Sequence, residues 1–120
     1  MKEGAANLRI LIVGGKGTIG QAIVEKLQGD HELITAGRTS GDVQVDLTSV
    51  ESIEALFKKV GYVDAIVNAS GTAKFKLVEE MTPTDNLVAV QSKLLGQINL
   101  ALIGQKYLRR EGSITLTTGI

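Results

Sequence analysis

The chain has no cysteine among its 120 residues. That absence excludes disulfide scaffolds, thiolate metal sites and cysteine nucleophiles together. It has a single histidine, His31, and a metal centre needs more ligands than one, so His31 reads as a loop residue before the second predicted strand. Neither charge sign is in excess, since 13 Lys and Arg balance 13 Asp and Glu. The basic residues are scattered, which leaves no electrostatic footprint for nucleic acid or an anionic membrane. A long apolar run is also missing near the start. After the mixed stretch Met1 to Asn7 comes only Ile10 to Val13, too short for a signal core or a membrane span, and a cytoplasmic protein is expected. Repeats and Pro/Gly/Ser linkers are absent as well, so residues 1–120 are expected to form one domain.

What is present is alternation. Leu8 to Val13 is apolar and rich in branched residues, a strand buried on both faces, and it runs into the glycine cluster GGKGTIG. Ile19, Ile23 and Leu27 then keep helical spacing. Glu32 to Ala36 and Val43 to Asp46 read as the second and third strands, separated by the loop GRTSGD. Thr48, with Glu51 three residues on, has the capping-box spacing and predicts a helix through Ile53, Leu56, Phe57 and Val60, stopped by Gly61. Ala65 to Asn68 is the fourth strand. A loop from Thr72 to Met81 leads to Thr82 and Pro83, the cap and first-turn proline of a long helix carrying Leu87, Val90, Leu94, Ile98, Ala101 and Leu108. Gly96 and Gly104 are its kink or close-packing points. Ser113 to Thr118 is the fifth strand. Strands alternating with helices predict an α/β fold, a doubly wound parallel sheet of Rossmann type with helices on both faces.

Gly15, Gly17 and Gly20 satisfy G-x-G-x-x-G between a predicted strand and a predicted helix. One glycine makes the tight turn, one lets backbone N–H groups approach a diphosphate, and one lets helix and strand pack closely. The phosphates would sit on a helix N-terminus, where unpaired N–H groups favour negative charge. Lys16 suggests a Walker A loop, but that motif needs Lys and Ser/Thr after its final glycine, and Gly20 is followed by Gln21 and Ala22.

Here the sequence resembles the short-chain dehydrogenase/reductase family. VGGKGTIG (Val13 to Gly20) is similar to the family's glycine loop, with Thr18 in place of one glycine. VDLT (Val45 to Thr48) is similar to the end of the third strand, where Asp46 and Leu47 would meet the adenine. VNASG (Val67 to Gly71) is similar to the N-N-A-G segment, with Ala69 and Ser70 as departures, and GSITLTT (Gly112 to Thr118) to the fifth strand. The resemblance implies strand order 3-2-1-4-5, truncated after the fifth strand. It also implies that Gly14, Gly15, Lys16, Gly17, Thr18, Ile19, Gly20, Asn68, Ala69, Ser70 and Gly71 hold a dinucleotide.

The second strand ends without an acid to bind a ribose 2′-hydroxyl. Arg38 follows instead and offers a planar fork to a 2′-phosphate, with hydroxyl donors at Thr39 and Ser40, so NADP is expected over NAD. A solvated turn arginine is the competing reading, and Asp46 could serve adenine, the following helix start, or both. The family's tyrosine acid/base with a lysine four residues on has no counterpart within the chain: Ile66 follows Tyr62 at that spacing, and Glu111 follows Tyr107. Gly119 stands where the serine would align, leaving Thr118 or Thr117 as the nearest hydroxyl, and Lys93 stands at the helix asparagine position. Thr118 and Lys93 are thus the remaining candidates for catalytic support. The expected function is the NADP-holding portion of an oxidoreductase acting on a small carbonyl or alcohol in an intact parent. A non-catalytic NADP sensor and an assembly fragment with an empty glycine loop are the alternatives. An unpaired fifth strand and a partly uncovered long helix imply homo-oligomers.

Overall fold

The computed structural model describes residues 7–70 and 78–117. Five parallel strands, β1 (Arg9–Val13), β2 (Glu32–Gly37), β3 (Val43–Gln44), β4 (Val63–Asn68) and β5 (Leu108–Leu116), form one sheet in the order β3-β2-β1-β4-β5. This is the expected order. Ile10 to Val13 are all buried because β1 is central and flanked on both sides, with Leu11 opposite Ile34 in β2 and Ile66 in β4.

The connections place helices on both faces. The first, α1 (Thr18–Leu27), joins β1 to β2; its Val24 lines a cleft with Thr35, on the face that also carries Ile10 and Ile12. The opposite face is covered by α2 (Val50–Val60) and by a segmented helix made of α3 (Pro83–Ala89), a π-helical stretch Val90–Leu95 and α4 (Gly96–Gly104). On that face Leu11, Val13 and Ile66 pack with Ile53, Leu56, Phe57, Val60 and Leu100. Each such side chain contributes about 1.5–3 kcal/mol by leaving water. Ile53, Leu56, Phe57 and Val60 recur at helical spacing, which is why α2 turns one apolar stripe to the sheet.

Local chemistry shifts several expected boundaries. The cap of α2 is Ser49, which accepts from Ser52 N, and not Thr48, whose hydroxyl is taken by Asp46. A capping box does occur at Thr82 and Asp85, with Pro83 in the first turn as expected. The third strand is two residues long, because Asp46 turns back to bond Thr48. In the predicted Thr72 to Met81 loop, Val78–Glu80 form a 3₁₀ turn, and residues 72–77 lie outside the described ones.

The largest differences concern the predicted long helix and fifth strand. Leu108 pairs with Val63 as the first residue of β5 and is not helical, and the helical path ends in a 3₁₀ turn at Gln105–Tyr107. The ladder then slips: Ser113 is opposite Ala65, so residues 109–112 bulge out, and Gly112 lies within the strand. The apolar stripe Leu87, Val90, Leu94 and Ile98 faces outward, whereas Gly96, Gln97, Leu100 and Gly104 face the protein. Small residues won the inward face because the backbone comes close: a Cβ on Gly104 would stand 2.7 Å from Ile66 Cδ1 and 2.8 Å from Phe57 Cζ. The stretch Pro83–Tyr107 is long and apolar enough to cross a membrane. Its Leu100 is nevertheless fully buried in the core beneath it.

Candidate dinucleotide site

The site lies at the carboxyl ends of β1 and β4, where the chain's connections run off in opposite directions and a crevice opens. Gly14 follows β1 with φ +87°, donates to Ala36 O (2.7 Å) and accepts from Gly17 N (3.1 Å). A Cβ there would stand 2.7 Å from Ser70 N, and one on Gly20 would stand 2.7 Å from Gly15 Cα. These two glycines are demanded by the protein's own backbone. Gly17 is different: a Cβ there would meet only Gly14 O, at an ordinary 3.5 Å. The space beside Gly17 is open and forms a cradle that a side chain would fill.

Gly17 is also the N-cap of α1, with no side-chain cap and no acid in the first turn. The first helical bond is Gln21 N to Gly17 O (2.8 Å), so the N–H groups of Thr18, Ile19 and Gly20 precede any carbonyl their helix could supply. Lys16, Gly17, Thr18 and Ile19 are exposed at this end. Unspent donors, a helix dipole and open room fit a diphosphate.

A cleft beside the loop is lined by Val13, Gly37, Arg38, Asp46, Leu47, Thr48, Ser70 and Ser92. It brings together Arg38, which follows β2, Asp46, which follows β3, and Ser70, which follows β4. Asp46 Oδ1 accepts from the Thr48 hydroxyl (2.6 Å) and amide (2.9 Å). Those bonds, with a smaller attraction from Arg38, hold its carboxyl below the usual aspartate range, against the opposing effect of burial. Leu47 is buried where Gly96 approaches it. Thr39 and Ser40 are exposed at the loop tip next to Arg38.

Asn68 is fully buried and does not face solvent. Its Oδ1 accepts from Ser70 Oγ (2.6 Å) and N (3.2 Å), and its Nδ2 donates to Gln97 Oε1 (2.8 Å). Gln97 Nε2 donates to Lys93 O and Thr117 O (both 3.0 Å), while its Oε1 also accepts from Thr117 N (3.2 Å). Thr117 Oγ1 donates to Asn68 O (2.9 Å). Gln97 thereby ties α4 to the ends of β4 and β5. Its signal in the sequence is slight, a polar residue next to Gly96 inside an apolar segment. Ala69 N donates to Val13 O (2.8 Å), which continues the pairing past β4. Gly71 and Thr118 lie outside the described residues.

The description of the NAD dependent epimerase/dehydratase family matches residues 10–106. The chain belongs to that family. Among similar proteins is a hydroxynaphthalene reductase of Aspergillus fumigatus, 31% identical over 104 residues, covering 83% of this chain and 36% of that protein. Among solved structures, protein lin1944 of Listeria innocua is 52% identical with a TM-score of 0.90, over 94% of this chain and 56% of that one. A small-chain dehydrogenase in complex with NADPH is 28% identical with a TM-score of 0.84, over 95% of this chain and 52% of that one. The chain spans about half the length of these structural relatives.

The chain's two tyrosines lie away from the glycine loop. Tyr62 and Tyr107 precede β4 and β5, at the pole opposite the glycine loop. Tyr107 stacks on Phe57 (centroids 5.1 Å apart) and sits 5.8 Å from the ring of the exposed Tyr62. Lys93 falls in the π-helical stretch, a local irregularity common at functional sites. His31 Nδ1 accepts from Leu8 N (3.1 Å), which suits a loop residue. No cluster of metal-binding side chains occurs among the described residues.

Proposed function

We propose that this chain is the NADP-holding portion of a short-chain oxidoreductase, with NADP preferred to NAD. The observation that carries the reading is the open cradle at Gly17, at a helix start whose N–H donors have no partner among the described residues, near a cleft lined by Arg38 at the end of β2. Gly14, Gly15, Lys16, Gly17, Thr18, Ile19 and Gly20 would hold the diphosphate. Asp46 and Leu47 would border the adenine, and Arg38, Thr39 and Ser40 would receive the 2′-phosphate. Asn68, being buried, would act by fixing Ser70, which with Ala69 and Gly71 would border the cofactor. When bound, the nicotinamide supplies or accepts the hydride exchanged with a small alcohol or carbonyl in the whole protein. This chain's residues bind and orient, with Lys93 and Thr118 as the groups nearest to a catalytic role.

Titration with NADPH tests this directly. Saturable binding to the wild-type chain, lost in Gly17→Val with the fold retained by circular dichroism, is the expected result. Equal affinity for NADPH and NADH would overturn the cofactor preference, and absence of binding would overturn the site. The exposed apolar residues Leu87, Val90, Leu94, Leu95, Ile98 and Leu102 and the outer edge of β5 support self-association of a cytoplasmic protein. A clean monomer in sedimentation would count against the oligomer.

A further inference from the structure

The loop after β2 is closed by a two-way contact between residues seven apart. Asp42 Oδ2 accepts from Thr35 N (3.0 Å) and Thr35 Oγ1 (3.3 Å), and Asp42 N donates to Thr35 Oγ1 (3.1 Å). Gly41, at φ +98°, makes the fold-back possible: a Cβ there would stand 3.0 Å from Thr35 O. Arg38, Thr39 and Ser40 form the apex of the loop thus closed. The other branch of Thr35 points the opposite way, its Cγ2 lying 2.8 Å from where a Cβ on Gly15 would be. A single side chain therefore touches the glycine loop with its methyl and fastens the arginine loop with its hydroxyl.

A carboxylate is a poor choice next to a site meant for phosphate, because like charges repel. Its presence is explained by what it holds. We propose that Thr35 and Asp42 form a clamp that shapes the Arg38–Ser40 loop to receive the 2′-phosphate, so that these two positioning residues set the preference for NADPH over NADH. The inference rests on the reading of Arg38 given above. A clamp and a bare charge make opposite predictions. Removing Asp42 as a charge strengthens binding of the phosphorylated cofactor, whereas removing it as a clamp weakens it.

The experiment measures dissociation constants of NADPH and NADH by nicotinamide fluorescence for wild type, Arg38→Ala, Thr35→Val, Asp42→Ala and Asp42→Asn. Thr35→Val keeps the methyl against Gly15 and removes the hydroxyl. Asp42→Asn keeps an acceptor oxygen, and both accepted bonds fall on one oxygen in the wild type. Thr35→Val and Asp42→Ala are expected to lower the NADPH-to-NADH affinity ratio about tenfold, with NADH binding unchanged. Asp42→Asn is expected to hold or raise the ratio. A raised ratio in Asp42→Ala, an unchanged ratio, or equal weakening of both cofactors overturns the clamp. A preference abolished by Arg38→Ala but intact in the clamp variants overturns the clamp alone; a wild type with no preference overturns it together with the reading of Arg38. Should Asp42→Ala fail to fold, amide exchange in the wild type decides. The Asp42 N–H is expected to exchange more slowly with NADPH bound than with NADH bound, and equal exchange overturns the proposal.

Discussion

The two poles of the sheet are both rich in polar groups, yet they spend them differently. At the amino pole the groups satisfy one another. Arg9 Nη1 donates to Val60 O (2.6 Å) and Tyr62 O (2.9 Å), its Nε meets Glu32, and its amide donates to Asp64, which Arg109 also pairs. The Arg9 side chain thus closes the carboxyl end of α2. At the carboxyl pole the first-turn donors after the glycine loop have no partner among the described residues, while the side chains of the Asn68, Gln97 and Thr117 network beneath it are all hydrogen-bonded. Binding capacity therefore resides where the protein declines to bond with itself, over a floor that is locked. An exposed donor row on a rigid support loses little entropy when a ligand arrives.

The contrast between a locked floor and an open loop breaks most readily at Gly20. Gly20→Val drives side-chain atoms into the Gly14 and Gly15 backbone, and a loss of more than about 3 kcal/mol in urea unfolding is expected, together with loss of NADPH binding. Gly17→Val, three residues away, is expected to cost only about 1 kcal/mol, the loss of a favoured N-cap residue, while abolishing binding. Equal destabilisation by the two would erase the distinction between glycines the fold needs and the glycine the ligand needs.

Gln97→Leu comes next. It leaves buried Asn68 Nδ2 with only its long bond to Ser70 O (3.5 Å) and takes the acceptor from half-buried Thr117 N, so a drop of about 1–3 kcal/mol is expected by chemical denaturation. Arg9→Met keeps the aliphatic stem and removes the clamp at the far pole. An expected loss of about 1–3 kcal/mol with unchanged NADPH affinity would separate the poles cleanly, and a weakened affinity would show them coupled.

The smallest effect is acid dependence at Asp46. Its carboxyl titrates below the ordinary value because Thr48 and Arg38 favour the charged form. The stability it contributes is therefore complete above the unfolded pKa and disappears as pH falls through the lower folded value. Asp46→Asn is expected to cost well under about 1 kcal/mol at neutral pH, given its exposure. The difference from wild type should vanish near the acid end of a pH series, and a gap that widened on acidification would contradict the assignment.

Much of this was legible in the residues. Branched apolar strands, the glycine cluster and the stripe Ile53, Leu56, Phe57 and Val60 carry their periods openly, because strand and helix impose fixed repeats on whatever faces the core. The helix after β4 was legible only at its start, where Thr82 and Pro83 specify the cap and the first turn. Its inward face was not, because Gly96 and Gly104 bury backbone instead of side chain and so leave the apolar stripe to face outward. The end of that helix was hidden too, since Leu108 suits either element and the ladder with Val63 decided between them.

By itself the sequence determined the order of elements, the doubly wound sheet and the place of the glycine loop, because these follow from short-range spacing and local backbone freedom. Tertiary structure alone decided which glycine leaves room for a ligand, that Asn68 is a buried support for Ser70, and that Gln97 and the pair Thr35 and Asp42 matter at all. Those outcomes depend on distances between residues far apart in the chain or folded back across a turn, and such distances exist only once the strands have found their partners.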